Sequence, residues 1–101
     1  MEDIQIVREF KERVQNVFQD AEIHFYGSRA RKTHREDSDY DVLILLDEVT
    51  PSIRKTIYDI AWEIGYKYDA LLVPVLSQKD DFYMPNNSPF FNNVKQYGMM
   101  V

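Results

Sequence analysis

From Asp3 to Phe18 the apolar residues Ile4, Val7, Phe10, Val14, Val17 and Phe18 recur at steps of three and four, with Arg8, Glu9, Lys11, Glu12 and Arg13 between them. That spacing predicts an amphipathic helix. The period then falls to two. Ile23 and Phe25 alternate with Glu22, His24 and Tyr26 across Ala21 to Tyr26, a first strand that Gly27 ends. Tyr40 to Leu46 is aliphatic with little alternation beyond Asp41, the pattern of a central strand covered on both faces.

Thr50 and Pro51 supply an N-cap and first-turn proline for a second long helix. Its buried face carries Ile53, Ile57, Ile60, Ala61 and Ile64, and Gly65 sits where a C-terminal cap belongs. A third strand is expected over Asp69 to Leu76, at a sheet edge because Pro74 brings no N–H to the ladder. Ser88 and Pro89 open a short helix running to Tyr97, with Gly98 after it. With a short helix after Gly27, the order is helix, strand, short helix, strand, helix, strand, helix. This predicts an α+β fold, a small mixed sheet with helices packed against it. At 101 residues, positions 1–101 form a single domain, since two separate cores would each be too small to outweigh the entropy of folding.

Composition narrows the chemistry. With no cysteine, disulfides, thiolate catalysis and Cys-ligated zinc are excluded, so a metal here would be hard and Mg²⁺-like. A net charge of −5 gives no general attraction to nucleic acid, which argues against a long RNA or DNA substrate. The N-terminal stretch is charged from Glu2 and lacks an apolar signal core, and no segment is long and apolar enough to span a bilayer; a cytoplasmic protein is expected. The charge is uneven, however: Arg29, Arg31, Lys32 and Arg35 run directly into Glu36, Asp37, Asp39 and Asp41.

Side chains two apart on a strand share a face, so Asp39 and Asp41 project together from the start of a buried strand. Two carboxylates so placed raise at least one pKa, an arrangement that a divalent cation relieves. Asp69, expected to open the neighbouring strand, offers a third carboxylate and with it a two-metal site. Gly27-Ser28 lies at a strand-to-helix junction, where backbone amides point outward at an anion. Ser28 adds a hydroxyl, and Arg29 or Arg31 supplies a fork for phosphate.

Gly27-Ser28, Asp39-Tyr40-Asp41 and Asp69 resemble, in type and order, the signature of the nucleotidyltransferase superfamily that includes DNA polymerase β. More narrowly, Gly27-Ser28-Arg29-Ala30-Arg31 followed by Ser38-Asp39-Tyr40-Asp41 is similar to the minimal nucleotidyltransferases, single-domain antitoxins paired with HEPN-domain toxins. The resemblance spans roughly positions 4 to 98. It implies catalytic, metal-holding Asp39, Asp41 and Asp69, with Gly27, Ser28 and Arg29 on the nucleotide's phosphates. It further implies Mg²⁺, ATP as donor, and AMP transfer to a hydroxyl, commonly a tyrosine's, of a HEPN ribonuclease toxin in a hetero-oligomeric complex. One departure is Lys32, where many relatives carry glycine.

Two other readings stand beside the enzyme. One is an antitoxin that silences its partner by binding alone. The other acts on small molecules or RNA ends, but relatives of that kind usually carry extra substrate-binding domains for which this chain has no room. His24, on the polar side of its strand, and His34, in a polar loop, have surface or packing roles rather than catalytic ones. Phe82, Tyr83, Met84, Phe90 and Phe91 gather around Asn86-Asn87 as a tail folded on the core or as a partner interface.

Overall fold

The computed structural model describes residues 2–33, 38–85 and 87–101. The readings at His34, Arg35, Glu36, Asp37 and Asn86 lie outside these residues. Helix α1 (Asp3–Val17) buries the row Ile6, Phe10 and Val14 together with Val7, while Val17, in the last turn, stays exposed. Strand β1 (Glu22–Tyr26) leads into a four-residue helix α2 (Gly27–Ala30), and β2 (Tyr40–Leu46) follows.

Helix α3 (Pro51–Tyr68) starts as expected, with the Thr50 hydroxyl accepting a hydrogen bond from the Ile53 amide at 3.2 Å. It does not stop at Gly65. The helix continues to Tyr68 and is capped by Asp69 in the left-handed region, at φ 51 and ψ 50. Gly65 is instead the residue over which the chain folds back: a Cβ there would meet the Ala70 carbonyl oxygen at 2.5 Å, and the Ala70 amide bonds the Gly65 carbonyl. Strand β3 (Leu72–Gln78) therefore begins three residues later than the sequence suggested.

A short helix α4 (Lys79–Tyr83), α5 (Pro89–Tyr97) and a two-residue strand β4 (Met99–Met100) complete the chain. Ser88 caps α5 by accepting from the Phe91 amide. Neither α4 nor β4 was anticipated, since five and two residues are too few to show a period.

The mixed sheet has the order β3-β2-β1-β4, with β1 antiparallel to β2 and β4, and β2 parallel to β3. β2 is central and β3 lies at an edge. The Tyr40 amide bonds the Leu71 carbonyl. Alternation then turns Leu72, Pro74 and Leu76 to the free edge, so the missing Pro74 N–H falls where no partner strand needs it.

The two faces are covered unequally. Tyr40, Val42, Ile44 and Leu46 pack with Ile23, Phe25 and the buried sides of α1 and α3. On the other face, Leu43 and Leu45 meet only the small cluster of Phe82 and Val94, with Phe91 beside it. Phe82 and Phe91 thus belong to the core, while Tyr83, Met84 and Phe90 are exposed. His24 is buried rather than superficial: it packs against the Phe82 ring at 5.1 Å, because the short C-terminal helices cover the side of β1 that reads as polar.

Candidate active site

The α4–α5 side of the sheet is incompletely covered toward the end where Asp41 emerges. Asp41 is half-buried, and Asp39, just ahead of the strand, is exposed. The antiparallel register sets Asp41 opposite Tyr26, the residue that precedes Gly27. Carboxylate and glycine loop therefore meet by pairing of β1 with β2.

Their contact is close. Gly27 takes φ +82, a conformation that side chains rarely adopt, and a Cβ built on it would stand 2.3 Å from Asp41 Oδ2. The absence of a side chain at Gly27 lets the carboxylate lie against the loop. Burial, and then the neighbouring charge of Asp39, hold the Asp41 carboxyl above its ordinary pKa. Tyr26 is half-buried beside them, and burial followed by the charge of Asp41 pushes its phenol up to about 12. Tyr26 remains a neutral hydroxyl at physiological pH.

Arg29 is turned into the protein. Only 9% exposed, it donates from Nε to the Ser38 carbonyl at 2.5 Å and from Nη1 to Asp3 Oδ1 at 3.0 Å and Tyr40 Oη at 3.2 Å. Its guanidinium also lies 4.2 Å from the centre of the Tyr40 ring, and the Tyr40 hydroxyl donates to Asp3 at 2.8 Å. Ser38 and Tyr40 are the two residues flanking Asp39, so Arg29 clamps the strand start that presents the carboxylates and ties it to the first residue of α1. Arg31 is exposed, with its guanidinium 5.6 Å from the centre of the Tyr97 ring.

Lys32 adopts φ 59. A glycine would adopt that left-handed conformation freely, so the departure at Lys32 carries a backbone cost.

The family model of the nucleotidyltransferase domain matches residues 4–94, nearly the whole chain. The chain belongs to this family, and it is a nucleotidyltransferase. It is 35% identical over 104 residues, covering all of both chains, to a Methanocaldococcus jannaschii protein named "putative protein adenylyltransferase". In fold it is similar to a chain of a toxin–antitoxin structure with AMP-PNP, at TM-score 0.64 and 15% identity over 91% of this chain and 69% of the other. It is likewise similar to a chain of a complex between a tri-AMPylated Shewanella oneidensis HEPN toxin and its MNT antitoxin, at TM-score 0.60 and 14% identity over 99% and 71%.

The nucleotidyltransferase sets Gly27 against Asp41, two residues after Asp39, whereas Asp69 shares only a groove lining with Asp39. Asp69 does not open β3; it is the exposed left-handed cap of α3. The β3 residue in register with Asp41 is Val73. In a parallel pair, partners point to the same face, so the place of a third carboxylate beside Asp41 holds an apolar side chain. Among the described residues no three carboxylate or imidazole groups converge as a metal cage. The donor set fits a cation held by two carboxylates, with water and phosphate oxygens for the rest, which is how Mg²⁺ is commonly bound.

Tyr26, Asp3 and Tyr40 were not singled out from the sequence. Tyr26 was legible in principle, because it shares the alternating face of His24 and ends the strand that Gly27 follows. The Asp3–Arg29 link joins residues 26 apart and carries no local signal. No described helix is long and apolar enough to cross a membrane.

Proposed function

We propose that this nucleotidyltransferase transfers AMP from ATP to a hydroxyl, in the first instance a tyrosine's, of a HEPN-domain ribonuclease toxin, and so acts as its antitoxin. The observation that carries the reading is the Asp41 carboxylate seated against the bare Gly27 backbone, with Asp39 beside it. That juxtaposition sets a divalent-cation ligand next to a backbone suited to phosphate. The name of the Methanocaldococcus relative and the toxin–antitoxin setting of the structural neighbours support the choice of a protein acceptor.

In this reading Gly27 and Ser28 seat the triphosphate. Arg31, which faces solvent, meets its outer charge, while Arg29 keeps Asp39 and Asp41 in place from behind. Asp39 and Asp41 would hold Mg²⁺, which lowers the pKa of an attacking hydroxyl and stabilises charge on the departing pyrophosphate. The acceptor oxygen forms its bond to the α-phosphorus as the bond from that phosphorus to the bridging oxygen breaks. The hydroxyl proton is lost to water, and pyrophosphate leaves.

A second reading is favoured by one observation, Val73 in place of a third carboxylate: the chain silences its partner by contact alone. Intact-protein mass spectrometry separates the two. A candidate HEPN-domain partner is incubated with it, Mg²⁺ and ATP, in parallel with Asp39→Asn/Asp41→Asn. Whole adenylate increments on the partner that vanish with the variant sustain the transferase. A partner of unchanged mass that is still bound and silenced replaces it with the contact reading.

A further inference from the structure

The outer side of α3 carries Tyr58, Trp62 and Tyr66 at successive steps of four, so the three rings form one stripe. Trp62, the chain's single tryptophan, is 69% exposed and Tyr66 80%, and the two rings stack at 5.4 Å. Leu71, 61% exposed, lies beyond the turn at Asp69. Helix α3 packs its other side on the sheet, so none of these aromatics is needed for the core. Large exposed aromatics in a contiguous patch are the residue types that anchor protein interfaces.

The stripe does not stand apart from the chemistry. A groove of about 800 Å³ runs along α3 and the edge strand β3, lined by Tyr58, Trp62, Tyr66, Leu71 and, at its ends, Asp69 and Asp39. A segment lying in it reaches Asp39, the outer of the two carboxylates. Among the described residues, the only charged side chains on the lining are Asp39 and Asp69, and neither forms an ion pair. Asp69 is exposed and lines the groove. Pro74 removes a donor from the outer edge of β3, so an occupant is gripped by side chains and not by strand addition.

We propose that this groove docks the acceptor-bearing partner protein, through a segment that lays an apolar side on Trp62 and Tyr66 and sets a basic side chain against Asp69. The inference rests on the proposed protein acceptor and assigns the surface that recognises it.

The test labels the single tryptophan with 5-fluorotryptophan and follows its one ¹⁹F resonance as the unlabelled HEPN protein is added. The resonance is expected to shift in step with complex formation seen by size-exclusion chromatography. Trp62→Ala is expected to weaken association about thirtyfold. Asp69→Lys weakens it about tenfold at low salt and less at high salt. Trp62 is exposed, so Trp62→Ala should melt near the parent, and Asp69→Asn, which keeps a residue suited to the left-handed cap, serves as the charge-only control for Asp69→Lys. An unmoved resonance in a formed complex, or unweakened binding by both variants, overturns the docking surface while leaving the transferase reading intact. A shift with ATP and Mg²⁺ alone assigns the groove to the nucleotide, and one that grows with the chain's own concentration assigns it to a second copy; either overturns the proposal. If the parent forms no complex with the HEPN protein, the partner reading falls, and this inference with it.

Discussion

Replacing Gly27 by alanine adds one methyl group to the point where loop and carboxylate touch. Two effects follow, of different kinds. At φ +82 an L-residue costs about 1–2 kcal/mol relative to glycine. In a domain of this length that lowers the melting temperature by about 5–10 °C. The methyl carbon would also lie 2.3 Å from Asp41 Oδ2, about 1 Å inside an ordinary contact. The carboxylate is the movable end of a side chain, so it swings away at little cost in stability. What is lost is its position, and about 1 Å of misplacement in a reacting site is worth about a hundredfold in rate. Thermal unfolding and AMP transfer, measured on Gly27→Ala alone and again with Asp41→Ala, separate the two effects. The melting penalty should persist in both backgrounds. Mg²⁺-dependent transfer should already be lost with Asp41→Ala, so alanine at 27 has no further rate to remove. A Gly27→Ala protein that transfers at the parental rate would refute the claim that the bare glycine sets the carboxylate's place.

Lys32→Gly should stabilise the fold by about 1 kcal/mol, read as a raised urea midpoint with unchanged slope, because Lys32 sits at φ 59. His24 is held below its ordinary pKa, chiefly by burial and against the pull of Glu22, so the native state resists its protonation. Stability from this source is fully present above about pH 6.5 and falls as the pH drops below it, where the unfolded chain takes up the proton; His24→Phe should flatten that part of the stability curve. Arg29→Ala leaves the buried side of an ion pair with Asp3 vacant and should cost about 3 kcal/mol by denaturant unfolding, whereas Arg31→Ala should leave stability near the parent's. Equal losses in the two variants would contradict the inward placement of Arg29.

The strong periodicities were legible in advance: α1, β2, the start of α3 and α5 stand where spacing and capping residues place them, and Pro74 marks the edge strand. What the chain concealed depends on three dimensions. Gly65 reads as a helix end because glycine so often is one, yet here it makes room for the returning Ala70 carbonyl. That shift of three residues carries Asp69 away from the sheet, and only the parallel register reveals Val73 opposite Asp41. His24 reads as polar-facing because no local signal announces that α4 and α5 will cover it. In the site, Gly27, Asp39 and Asp41 were legible because their chemistry is local. The inward placement of Arg29 was not legible, because its partners, Asp3 and Tyr40, lie on other elements.

Pro74 has a consequence for the chain's life before any encounter. A small protein with a tryptophan and a tyrosine stacked in the open beside a strand whose outer edge is open is exposed to self-templated growth into fibres, each copy extending the sheet of the last. One missing hydrogen on the outward rim interrupts that register at its middle. The sticky face thus stands beside a rim that resists recruiting its own kind edge to edge.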